Sequence, residues 1–124
     1  MAALHLIVHS VEYALTKCLV VPPVVPSGRF ASMSRLGDEI TVVSERALAP
    51  QGDIQGGFRL IEIDGQFALD SVGVVASVAG PLAAAGIGLF AFSVWSTDAF
   101  LIQAADVVRA VEVLIAAGHN LNEA

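Results

Sequence analysis

The chain has 124 residues, the size of one compact domain or of two small half-domains that share a sheet. Hydrophobic residues make up 56% and charged residues 15%, against a usual level of roughly 45–50% and about 25%. That excess of apolar surface predicts self-association. Six basic residues against twelve acidic ones give a net charge of −6 with no Lys/Arg cluster, a field that disfavours nucleic acid and anionic membrane surfaces.

The first residues, Met1-Ala2-Ala3-Leu4-His5, carry no basic region ahead of an apolar one, so no secretion signal is expected. The longest apolar run, Val72 to Val94, is divided by Gly73, Gly80, Pro81, Gly86 and Gly88 into helix and strand, which argues against a membrane span. A lone Cys18 cannot form an internal disulfide and is read as a small core residue of a cytoplasmic protein.

In chain order, Leu4 to Val8 is a short strand candidate. A bend at Ser10-Val11-Glu12 then leads to a second strand candidate, Tyr13 to Val20. Residue parity puts His5 and His9 on one face of the first strand, about 13 Å apart along it and too far for one zinc ion. Pro22, Pro23 and Pro26 make the next stretch a connector. Arg29 to Met33 and Glu39 to Ser44 flank a turn at Arg35-Leu36-Gly37-Asp38 and read as a hairpin. Ala49 to Gly57, with one proline and three glycines, reads as a loop between an abbreviated first half, 1–57, and a second half, 58–124.

The second half reads β-α-β-β-α. Phe58 to Asp64 is a strand, and Val72 to Ala85 is a helix N-capped by Asp70 or Ser71 and stopped by Gly86. Ile87 to Val94 and Ala99 to Gln103 are strands, and Ala105 to Ala117 is a helix ended by Gly118. Pro81 predicts a local kink in the first helix. This order implies an α+β, ferredoxin-like layer of helices on one face of an antiparallel sheet. The hairpin after Phe30 shares its plan with the one after Phe92, which suggests two related halves.

No Gly-x-Ser-x-Gly, Gly-x-Gly-x-x-Gly or Walker-type loop occurs, and His5, His9 and His119 have no motif placing them beside an activated serine. The sequence predicts no catalytic residue, no metal site and no cofactor. Two stretches have the chemistry of binding. Leu69-Asp70-Ser71-Val72-Gly73-Val74 leads into a helix whose first N–H groups favour a carboxylate or other anion. From spacing alone the plainer account, a capped helix whose glycine packs on the sheet, is preferred. Ser93-Val94-Trp95-Ser96-Thr97-Asp98 holds the only tryptophan and a carboxylate able to pair with an ammonium group, and is also ordinary turn chemistry. Neither stretch makes a pocket alone, so a second half-domain or subunit is expected to complete one.

Gly57 to Gly65, Leu69 to Ile87, Phe90 to Ile102 and Ala116-Ala117-Gly118-His119 resemble the ACT domain family, and most closely its CASTOR-type tandem ACT proteins. Phe30 to Ser44 resembles that family's Phe-x-Ser-x-Thr-Arg-x-x-Asp-Glu-Leu-Ser-Ile-Val hairpin, so the likeness covers roughly residues 13–119. The resemblance implies two ACT-like halves, the first abbreviated, in a non-catalytic regulatory homodimer that binds a small amino acid where ACT units meet, with a separate enzyme as a candidate recipient of the signal. Carried over by position, the glycine-bearing loop falls on Val72, Gly73 and Val74, and the ligand-facing turn on Val94, Trp95 and Asp98. Val94 stands where the arginine-sensing relatives have threonine, which removes a hydroxyl. The alternative is a ligand-free module for dimerisation or partner binding.

Overall fold

The computed structural model describes residues 3–124. Seven strands and two helices follow one another as β1 (His5–Cys18), β2 (Ser32–Leu36), β3 (Glu39–Glu45), β4 (Gly52–Ile63), α1 (Val74–Ala84), β5 (Phe90–Ser93), β6 (Asp98–Gln103), α2 (Val107–Ala116) and β7 (Asn120–Glu123). The chain divides into two compact units, one formed by the N-terminal residues through Ser10 with Arg59–Ala124, the other by Val11–Phe58. β1 and β4 contribute residues to both.

In the larger unit the strands neighbour one another in the order β1-β4-β6-β5, and β7 lies parallel beside β1. β5 and β6 are antiparallel, with Ser93 opposite Asp98. Period-two alternation sends Leu4, Leu6 and Val8, Ile61 and Ile63, and Phe100 and Ile102 into one core. Helix spacing sends Val74, Val78 and Leu82 of α1, and Val107, Ala110 and Leu114 of α2, into that same core. Both helices therefore cover one face of the sheet, the expected α+β, ferredoxin-like arrangement.

Helix ends follow the glycines. Gly86 adopts φ 74 just past α1, and the Ile87 amide reaches back to the Leu82 carbonyl at 2.9 Å. Gly118, at φ 99, does the same for α2, with the His119 amide on Leu114 O at 3.1 Å. Both are left-handed stops that satisfy terminal carbonyls. The expected N-cap is corrected: neither Asp70 nor Ser71 caps α1, whose N-cap is Gly73 at φ 86, with no side-chain cap. α1 continues through Pro81. The last helix is preceded by a 3-10 turn, Ala104–Asp106.

The smaller unit has the strand order β2-β3-β1-β4. Leu36 pairs with Glu39 across the β2–β3 turn, where Gly37 adopts φ 61, so the expected hairpin is present. Two readings are corrected. There is no bend at Ser10-Val11-Glu12, because β1 runs unbroken to Cys18; Glu12 instead receives the Gly57 amide on its carboxylate at 2.8 Å. Nor is 49–57 a loop throughout, because β4 begins at Gly52. Its glycines permit close approach: a Cβ on Gly52 would lie 2.2 Å from Lys17 O, and one on Gly56 would lie 2.6 Å from Glu12 Oε2. Cys18 is half-buried at the end of β1, not a core residue.

Candidate functional site

Between β4 and α1 the chain makes a loop, and between β5 and β6 it makes a tight turn. The turn is closed by Val94 N–H on Thr97 O (3.0 Å) and tied to β4 by Thr97 Oγ1 on Ile63 O (3.1 Å). Phe67 N–H donates to Ser96 O at 2.7 Å, which fastens the loop to the turn. These bonds leave Trp95 at the tip, 78% exposed. At the strand end Ser93 Oγ donates to Asp98 Oδ1 at 2.5 Å, so one carboxylate oxygen is held and the other is left for a further donor.

The opposite wall is the first turn of α1. Because Gly73 has a left-handed backbone, the loop turns sharply into the helix without a side chain over its axis. The Ser77 amide makes the bond to Gly73 O (3.0 Å) that closes this turn. No side chain caps the helix, and no acidic residue lies in its first turn. The N–H groups of Val74, Val75 and Ala76 thus lack intrahelical acceptors, and the positive end of the helix has no carboxylate of its own to offset it.

Between the two walls lies an open cleft of about 530 Å³ lined by residues of the 67–76 and 93–98 segments. Such a volume lies within the ordinary range for small-molecule sites, about 300–1,000 Å³. Ser71, Gly73, Val74, Val94, Trp95 and Asp98 all line it. Asp70 and Val72 are not among its lining residues, and Val72 is 89% exposed. The two stretches, expected to meet across a domain or subunit boundary, come together within the larger unit alone.

Sequence reasoning included Leu69 in the junction and missed Phe67 and Ala68 before it and Val75 and Ala76 on the helix. The helix residues follow from the first-turn geometry once Gly73 is known as the N-cap. No sequence signal marks Phe67, whose place depends on the Ser96 carbonyl. The lining combines hydroxyls of Ser71, Ser93, Ser96 and Thr97 with apolar Phe67, Leu69, Val74 and Trp95, and Asp98 is its charged side chain. Chemically, the lining brings the uncapped start of α1 and one carboxylate to the same cavity. Among the described residues no group of three His, Cys, Asp or Glu is placed to hold a metal ion, and no helix is long and apolar enough to cross a membrane.

The histidines lie elsewhere. His5 is exposed on β1, while His9 Nε2 lies 2.9 Å from Glu62 Oε1. His119 is 7% exposed, with its ring between Leu4 and Ser77.

The sequence pattern of the ACT domain matches residues 53–116. No protein of curated function matches the chain. A crystal structure of a protein from Agobacterium tumefaciens is similar at 28% identity and TM-score 0.89, over 100% of this chain and 96% of that one. A Vibrio cholerae protein described as of unknown function, a possible transport protein, is similar at 18% identity and TM-score 0.69, over 91% and 88%. The ligand-free regulatory subunit of aspartate kinase from Thermus thermophilus is similar in fold at 12% identity and TM-score 0.59, over 86% and 91%.

Proposed function

This chain belongs to the ACT domain family, and from that premise we propose that it is a non-catalytic regulatory protein that binds a small amino acid in the cavity between α1 and the β5–β6 turn. The observation that carries the proposal is the pairing of opposite functional ends across one cavity. Val74, Val75 and Ala76, whose N–H groups are uncapped, and Asp98 line the same cavity. An α-carboxylate is the natural guest of the helix start, where a negative charge gains about 0.3–1 kcal/mol, up to about 2 when partly buried. An α-ammonium complements the oxygen of Asp98 that Ser93 does not hold. Trp95 and Leu69 offer apolar cover to the side chain.

The finer assignments form part of the same reading. The chain is a CASTOR-type cytoplasmic protein of two ACT-like halves, 1–57 and 58–124, and a homodimer whose signal is received by a separate enzyme. The regulatory subunit of aspartate kinase, with the same fold, supports the regulatory part. A thermal-shift screen against the common amino acids tests the proposal. A ligand at 100 times its Kd adds about 2.7 kcal/mol, on the order of 10 °C for a domain of this size. Absence of any shift at millimolar concentration removes the receptor reading.

A second reading has an observation of its own. Leu19, Val20, Val21 and Val24 of the proline-rich connector are 64–79% exposed, the kind of contiguous apolar surface that marks an interaction site. Under this reading the chain is a ligand-free module for dimerisation or partner binding. It predicts a stable dimer by light scattering together with a flat ligand screen.

A further inference from the structure

We propose that His119 is a positioning residue of the cavity, acting through Ser77 to hold the first turn of α1; its binding consequence rests on the receptor reading above. The reason begins with Pro81. It sits inside α1, has no N–H, and its ring crowds the carbonyl four residues earlier, that of Ser77. A helix with an ordinary residue at this position would satisfy Ser77 O from within. Here His119 Nε2 lies 2.8 Å from that oxygen.

The other ring nitrogen, Nδ1, lies 3.1 Å from the Leu4 amide. An amide N–H can only donate and a carbonyl can only accept, so both bonds are made by a single species, the neutral ring protonated at Nε2. The ring is itself fixed from behind, since the His119 amide bonds Leu114 O where α2 stops. One residue thus joins the residue before β1 and the middle of α1 through its ring, and the end of α2 through its amide.

Ser77 transmits the constraint. Its amide bonds Gly73 O at 3.0 Å and its hydroxyl donates to Val74 O at 2.7 Å. Gly73 and Val74 both line the cavity. A ring that only filled core space would be replaceable by phenylalanine at little cost. A ring that stands in for the missing proline N–H is replaceable only when that N–H is restored.

The test is a four-member cycle of the full chain: wild type, Pro81→Ala, His119→Phe and the double variant. The readout is amide hydrogen exchange of Ser77, with Phe100 and Leu101 in β6 followed alongside and the change in global stability of each variant measured by urea denaturation, so that local loss of protection is separated from global destabilisation. His119→Phe is expected to speed Ser77 exchange about tenfold or more in the Pro81 background, and far less once the Pro81→Ala substitution supplies the donor. His119→Gln, whose amide reaches the Nε2 position, is expected to preserve Ser77 protection, and His119→Asn, which reaches only the Nδ1 position, is expected to lose it. These two variants decide the matter if the phenylalanine variant does not fold. Equal acceleration with and without Pro81, or equal protection in the Gln and Asn variants, overturns the proposal.

The binding arm uses whichever amino acid stabilises wild type most in the thermal screen. Its Kd is expected to rise about tenfold in His119→Phe and to recover in the double variant. An unchanged Kd in His119→Phe overturns the positioning role. If no amino acid stabilises wild type, the receptor reading fails while the exchange cycle still decides what His119 does.

Discussion

Ser93 and Asp98 face each other as register partners at the end of the β5–β6 ladder, with the serine hydroxyl on Asp98 Oδ1. The pair fixes one carboxylate oxygen of a residue that lines the cavity and leaves the other oxygen as an acceptor. Asp98→Asn retains an oxygen for Ser93 and removes the charge. Its unfolding free energy is expected to stay within about 1 kcal/mol of wild type. Stabilisation by the amino acid that binds wild type is expected to vanish. Thermal melts with and without that amino acid check both, and an undiminished ligand shift places the ammonium partner elsewhere.

Gly73 and Gly80, one before α1 and one inside it, give different expectations. Gly73 holds φ 86, where any Cβ is strained, so Gly73→Ala is expected to destabilise by about 1–2 kcal/mol. Gly80 lies within α1 and directly precedes Pro81, whose ring crowds a preceding Cβ in the helical conformation. Gly80→Ala gains helix propensity and meets that crowding, so its stability is expected to stay within about 0.5 kcal/mol of wild type. Urea denaturation measures both, and a stabilised Gly73→Ala variant would contradict the left-handed entry into the cavity.

Burial pushes the Cys18 thiol above its ordinary pKa, which leaves less thiolate at neutral pH in the folded protein. Alkylation by iodoacetamide is expected to follow a pH midpoint higher in native than in urea-unfolded protein. The linked stability has a definite sign. The contribution of the neutral thiol is complete below the unfolded group's pKa and is lost as pH rises through the folded group's higher one. A native midpoint equal to or below the unfolded one contradicts this.

Much of the larger unit was legible because its signals are local. The helical spacing of Val78 and Leu82, the alternation of Ile61 and Ile63, and Gly86 and Gly118 as stops all follow from nearest-neighbour geometry, whereas Val75, also expected on that helix face, is exposed and Val74 is buried in its place. What failed depends on distant partners. β7, Asn-Leu-Asn-Glu, has no strand signature and exists through its parallel register with His5 to Val8. Gly52 and Gly56 look like loop residues until Lys17 and Glu12 are seen beside them. The cavity was half legible: its chemistry lies in Gly73 and in Trp95 to Asp98, but Phe67 is placed by a bond to Ser96. His119 carries no sequence signal that it answers Pro81, because the two are joined only through Ser77.

The central claim is that one cavity receives the two charged ends of an amino acid. Amide spectra of the nitrogen-15-labelled chain, titrated with each common amino acid, test it most directly. The account predicts that at least one of them moves the Val74, Val75 and Ala76 amides together with the Trp95 indole, saturably and with a single Kd. Resonances that stay fixed for every amino acid, or that move only outside the cavity, would contradict it.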